Sequence, residues 1–355
     1  MAKLPHRLPR LLISWLAPGL LAAAIAAVTS ELFLRLVVGP PARFLYGGSF
    51  RDRQSDFDIT YSVGEKGRRI TCAPEPPPAS ARRIAVLGDS FVFGQGVEDC
   101  QDLVSVLARL SPQQAFENFG RIGAGIDDYL LVARDLLRGF DDAVVIFFGN
   151  DVSDLAAEQG RAGRLAGHLS TLALLRRTRN AFLVDRAIRA AAAGPAGGGA
   201  IAFFEGRANN ILSSLRRDPD AFRRMVQPGE PEVERFRARF AALAELLDAR
   251  VGAAHVVVTA VPQDHTVSRR LASFIRAHGG SVAPYGERGR AYELVRELAL
   301  ARGFRFVDSF PSFLSDGDAL YHPHDLHWSA AGQRRMAGLL AEALASGPGG
   351  GPSAP

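Results

Sequence analysis

From Arg82 onward the chain alternates short apolar runs of strand character with amphipathic stretches of helical period, and this alternation limits its possible folds more than any other feature. The strand-like runs fall at 84–88, 115–118, 143–149, 255–261 and 304–308, and helix-like stretches occupy 101–110, 127–139, 232–251 and 291–301. A continuous apolar run belongs to a strand buried on both faces, and strand–helix alternation places such strands in one parallel sheet covered on each side. A last helix begins at Ser329, with Met336, Leu339, Leu340, Ala343 and Leu344 repeating on one face. The expected fold is α/β, three layers around a five-stranded parallel sheet.

Ahead of this region Lys3, His6, Arg7 and Arg10 precede residues 11–29, which carry no charge. As a helix this run spans roughly 28 Å, about one bilayer core. Positive charge before an apolar run keeps the amino terminus inside. Residues 1–10 then read as a cytoplasmic end and 11–29 as a transmembrane signal anchor, with the rest on the extracytoplasmic, periplasmic side. Secretion after signal cleavage near Ala24-Ile25-Ala26 is the alternative, but the length of the run and its apolar continuation over 32–38 favour the anchor.

Within 30–80, residues 39–80 are rich in Pro, Gly and charge and end in Pro74-Glu75-Pro76-Pro77-Pro78, which suits neither helix nor central strand. The stretch 30–80 reads as a tether with a short hairpin around 59–70. The catalytic domain is expected over 81–345, interrupted at about 152–231 by a mainly helical insertion over the ligand end of the sheet. That insertion reads as a lid, a membrane- or partner-facing surface, or a helical decoration. Residues 346–355 read as a disordered tail.

The net charge of +5 comes almost entirely from arginine, since lysine occurs only at Lys3 and Lys66. The arginines are scattered and many sit beside acids, the pattern of solvated helix faces, so no nucleic-acid partner is expected. Cys72 and Cys100 have no metal-ligand spacing to the histidines, and no metal is expected. Whether they pair depends on the compartment and stays open.

The first strand-like run stops on Gly88-Asp89-Ser90. Ligands of open α/β sheets bind beyond the carboxyl ends of the strands, and a serine on a turn with free N–H groups beside it serves as nucleophile and oxyanion donor together. Gly88 suits a turn whose backbone angles exclude other residues. Three further stretches follow strand-like runs at the same end of the sheet: Asn118-Phe-Gly-Arg-Ile-Gly123, Gly149-Asn150-Asp151 and Asp325-Leu-His327-Trp-Ser329. Gly123 can offer a backbone N–H and Asn150 a side-chain NH₂, both neutral donors for an oxyanion. His327 can take the serine proton while a nearby carboxylate orients it. His322 and His324 line this loop without reacting; His168, His255, His265 and His278 read as structural or exposed.

These four stretches together resemble the SGNH hydrolases, the GDSL family of esterases and lipases. The resemblance covers about 82–344 outside the insertion. It implies a flavodoxin-like fold, no cofactor, Ser90 as nucleophile, His327 as base, and an oxyanion hole of Ser90, Gly123 and Asn150. Two positions depart from the pattern. Phe148 stands where the third block has its first glycine. His324 stands where the fifth block has its aspartate, three before the histidine, while Asp325 lies two before and is assigned to orient His327. Asp325-x-His327-Trp328 also resembles the Asp-x-His-Trp signature of SGNH-like proteins that acetylate exopolysaccharides. The expected function is serine-dependent acyl-ester hydrolysis or O-acyl transfer in the cell envelope, on acylated polysaccharide or another ester; the alternative is a catalytically idle polysaccharide-binding or assembly subunit.

Overall fold

A computed structural model of the chain describes residues 8–33, 48–64, 68–73, 75–153 and 210–347. Among these the main sheet has five parallel strands, β3 (Arg82–Gly88), β4 (Gln114–Gly120), β5 (Asp142–Phe147), β6 (Val256–Ala260) and β7 (Arg305–Val307), in the order β4-β3-β5-β6-β7. Counted within the sheet this is 2-1-3-4-5, the flavodoxin-like order, whose direction reverses beside its first strand. β5 and β6 are buried at every residue, as a two-sided cover requires. All five strands were legible in sequence to within two or three residues at each end.

Helices cover both faces. On one side α3 (Leu103–Leu110) packs against α8 (Ala330–Ala345); on the other α4 (Ile126–Asp135), α6 (Glu230–Val251) and α7 (Gly289–Ala301) pack on one another and the sheet. Two short helices sit at strand ends, α2 (Ser90–Phe93) after β3 and α5 (Gly149–Ser153) after β5. Side-chain caps set several starts: Asp102 accepts from the N–H groups of Val104 and Ser105, and Ser329 accepts from Gly332, satisfying donors that a helix leaves unpaired.

The stretch read as a tether is, over 48–64 and 68–73, a packed part of the domain. β1 (Gly48–Arg53) and β2 (Asp58–Val63) form an antiparallel hairpin, begun earlier than the expected 59–70. Phe57, Ile59, Tyr61 and Val63 close an apolar cluster with Phe93 of α2. Their period-two spacing buries one face of β2. Arg69 is likewise not on a solvated face: at 2% exposure it donates to the carbonyls of Phe93, Gly94 and Val97, lies 3.2 Å from Asp99, and covers the Tyr61 ring.

The insertion also needs redrawing. Residues 154–209 and His168 lie outside the described residues, but Ile211, Leu215, Phe222 and Met225 are buried in the main core with Val152, so 210–231 belongs to the domain body. The helical spacing of these apolar residues is core spacing. The tail from 348 lies outside the described residues. Cys72 and Cys100 are paired, with Cα atoms 5.1 Å apart.

The expected anchor falls on α1 (Leu8–Phe33), whose side chains are described only at Gly19 and from 21 to 33. Leu21, Ile25, Val28, Leu32 and Phe33 are exposed, so this part of α1 is no core helix. Among the described residues no helix is long and apolar enough to cross a membrane.

Candidate active site

Ser90 opens α2 directly beyond β3, at the carboxyl edge of the sheet. Asp89 caps that helix, its carboxylate accepting from the Phe91 N–H at 3.0 Å. The glycine before it is required for a different reason than expected. Gly88 keeps an ordinary negative φ, but a Cβ there would lie 2.3 Å from Val92 Cγ2, so close packing of α2 on its own strand excludes a side chain. Ser90 is 8% exposed and its Oγ lies 2.8 Å from Nε2 of His327.

His327 sits in a loop closed by the bond from the His322 N–H to the His327 carbonyl (3.0 Å) and by the Tyr321–Trp328 bridge. Its Nδ1 lies 2.5 Å from Asp325 Oδ1, which also accepts the His327 backbone N–H at 3.0 Å. Asp325 is fully buried and His327 is 4% exposed. The Phe91 ring packs against the imidazole at 5.2 Å and against Phe148 and Trp328 at 4.6 and 4.8 Å, an aromatic wall that keeps water from one side of the pair.

The charges follow from this burial. Burial by itself would lower the His327 pKa, but the charge and hydrogen bond of Asp325 outweigh it and hold it above the ordinary value. Burial would raise the Asp325 carboxyl, and the same partner holds it below the usual carboxylate range. Asp89 lacks such a partner: burial pushes it up to about 6, against the bond from Phe91 and the field of His327.

Gly123 and Asn150 lie beyond the two strands that flank β3. Parallel register pairs Gly88 with Gly120 of β4 and Leu87 with Val145 of β5, so the chain passes Gly123 three residues past one pair and Asn150 shortly past the other, at Ser90's edge of the sheet. Gly123 has φ 71° in an exposed turn, and among the described residues its N–H has no hydrogen-bond acceptor. Asn150 is half-buried in α5, its Oδ1 enclosed without a partner. The substitution of the block's first glycine by Phe148 now has a local reason. A Cβ on Gly149 would meet Gln263 Nε2 at 2.1 Å and the Met225 carbonyl at 2.4 Å. The small residue is therefore needed one position later.

Other residues of the four stretches are structural. Asn118 is buried, donating to the Val92 carbonyl at 2.9 Å and accepting from Gly120 at 2.8 Å, which ties α2 to β4. His322 Nε2 lies 2.9 Å from the Gly96 carbonyl, and burial lowers its pKa. His324 is held by Asp56, His255 by Asp142 and His265 by Asp264, while His278 lies against the Phe274 carbonyl. Sequence reasoning missed the buried acid Asp89 and the whole contribution of the hairpin. Among the described residues no group of acids, histidines and cysteines is arranged to hold a metal.

No family model matches the chain, and no curated protein does. Among solved structures it is similar to a lipase/acylhydrolase from Enterococcus faecalis, at 16% identity over 74% of this chain and 95% of that one, TM-score 0.42. It is also similar to a member of the lipolytic G-D-S-L family from Veillonella parvula, at 14% identity over 75% and 99%, TM-score 0.41. An acetyl xylan esterase matches at 12% identity over 74% and 99%, TM-score 0.41. Likeness at this level leaves the chemistry to the residues around Ser90.

Proposed function

We propose that the protein is a serine acyl-ester hydrolase of the SGNH kind. The observation that carries this reading is the continuous Ser90–His327–Asp325 chain, 2.8 Å and 2.5 Å long at its two links. Nucleophile, base and orienting carboxylate within hydrogen-bond reach are what activation of a serine requires. Ser90 Oγ attacks the ester carbonyl carbon and its proton passes to His327 Nε2, with Asp325 stabilising the imidazolium. The oxyanion is met by the N–H groups of Ser90 and Gly123 and by the Asn150 amide. Collapse breaks the ester C–O bond, and the proton on Nε2 leaves with the alcohol. Water, deprotonated by the same histidine, then releases the acid; a sugar hydroxyl in its place makes the reaction a transfer.

We place the enzyme in the cell envelope, with its catalytic domain outside the cytoplasm, and acting on O-acylated polysaccharide in preference to other esters. Three features support this: the uncharged run 11–29 behind positive residues, the exposed apolar side chains from Leu21 to Phe33, and the Cys72–Cys100 pair, which persists only in an oxidising compartment. The test is labelling of Ser90 by a fluorophosphonate in fractionated cells, alongside ester turnover by wild type and Ser90→Ala. Label at Ser90 in the envelope fraction, and loss of several powers of ten in rate in the variant, are expected. An unlabelled, inactive wild type would instead fit an idle binding subunit.

A further inference from the structure

The fifth block of the site places its carboxylate two residues before the histidine, and His324 fills the position of the usual aspartate. A spacing this short works only if the chain entering Asp325 is held in place, because one Asp325 oxygen serves both the His327 backbone N–H and its ring. The holding group comes from the hairpin. Asp56, in the turn between β1 and β2, accepts the His324 backbone N–H at 2.5 Å and lies 2.9 Å from its Nδ1. The Asp56 side chain is 6% exposed, although His324 itself is half open to solvent.

The same hairpin grips the other half of the site. Phe57 packs against the His322 ring at 5.2 Å, and His322 Nε2 reaches the Gly96 carbonyl. Gly96 donates its N–H to the Tyr61 hydroxyl at 2.8 Å, and Gln95 donates to Asp52 at 2.8 Å. Residues 90–97, which carry the nucleophile, and 322–327, which carry the base, are thereby tied to one element outside the main sheet.

Resting on the triad reading, we propose that Asp56 is a positioning residue. It fixes the His324 N–H, and so the turn that aims the Asp325 carboxylate at His327. The rest of the hairpin keeps the nucleophile loop and the base loop in register with each other. Misplacement of a catalytic group by about 1 Å costs on the order of 100-fold in rate, so small motions of this loop matter.

The experiment measures kcat per labelled active site, the pH profile of kcat/KM, and the NMR titration of the His327 ring in wild type, Asp56→Ala, Asp56→Asn and His324→Ala. Asp56→Ala is expected to lower kcat per site by roughly 10- to 100-fold with little change in KM. Its acid limb moves to lower pH, because a displaced Asp325 stabilises the imidazolium less. Asp56→Asn keeps an acceptor for the N–H and recovers most of the rate. His324→Ala keeps its own N–H and stays within a few-fold of wild type. A wild-type kcat per site and an unmoved limb in Asp56→Ala would overturn the proposal, as would equal losses in Asp56→Ala and His324→Ala. If Asp56→Ala does not fold, a rate per site in Asp56→Asn as low as that of Asp325→Asn would overturn it. Should wild type neither label nor turn over ester, the reaction reading fails by itself. The positioning claim then stands or falls on whether the His327 titration shifts in the Asp56 variants.

Discussion

Asp325 Oδ1 lies 2.5 Å from His327 Nδ1 with only Leu326 between the two residues. The oxygen also takes the His327 backbone N–H, a local Asx arrangement of the kind that lets a short polar side chain bond the backbone two residues on. The ring is therefore oriented by its own turn, with Nε2 left to face Ser90. Asp325→Asn should preserve the turn while favouring the wrong imidazole tautomer, lowering kcat by up to roughly 10⁴-fold. Steady-state kinetics on any ester the wild type cleaves checks this; a loss under tenfold would leave a Ser90–His327 dyad.

The rate should depend on pH with a definite sign. The base must be neutral, and Asp325 holds the His327 pKa above its ordinary 6.5, so kcat/KM should fall as pH drops through a midpoint above 6.5. In Asp325→Asn, where burial is opposed only by the smaller effects of Asp89 and Asp52, the midpoint should move below that of wild type. A pH–rate profile of both proteins decides, and coincident midpoints would be false to this electrostatic account.

Asp89 gives a separate prediction, about stability. Its folded pKa is raised to about 6 from an ordinary 3.8, so the folded state binds the proton more tightly than the unfolded one. Its contribution is present below the unfolded value and is lost as pH rises through about 6. Asp89→Asn keeps an oxygen to accept the Phe91 N–H and carries no charge, so its melting temperature should gain on wild type between about pH 4 and 6. Parallel melting curves across that range would refute the buried charge as a cost.

The Cys72–Cys100 bridge closes a loop of sequence separation 28 that contains β3 and α2. Loop-closure entropy for a ring of this size is worth about 3–4 kcal/mol, so the double Cys→Ser variant should lose stability by that order in denaturant unfolding. Thiol titration of the folded, oxidised wild type should find no free thiol; two would contradict the pairing.

The proposed topology is checked by a reporter fused after Ala345. It should be active only outside the cytoplasm, since positive residues precede the apolar run. Cytoplasmic activity would remove the envelope location and the argument for a polysaccharide substrate.

Much of this was legible in the linear chain because the forces involved are local. Strands buried on both faces must be continuously apolar, and the runs that became β3, β5 and β6 could be read as such. The helix from Ala330 follows from the Ser329 cap and its apolar stripe. Ser90, Gly123 and Asn150 were legible because each lies just beyond a strand-like run at the same end of a parallel sheet, and Asp325–His327 because it stands just ahead of the last helix. What the chain could not reveal was every relationship between residues far apart in sequence. Residues 48–73 looked like part of a tether because the wider stretch 39–80 is rich in proline, glycine and charge, yet Arg69 is buried on carbonyl groups more than twenty residues away. The choice between His324 and Asp325 as partner of the base was likewise a tertiary matter. Spacing along the chain leaves open which side chain a turn points inward; in the folded chain Asp56, 268 residues before His324, accepts the His324 backbone N–H, and Asp325 faces the ring.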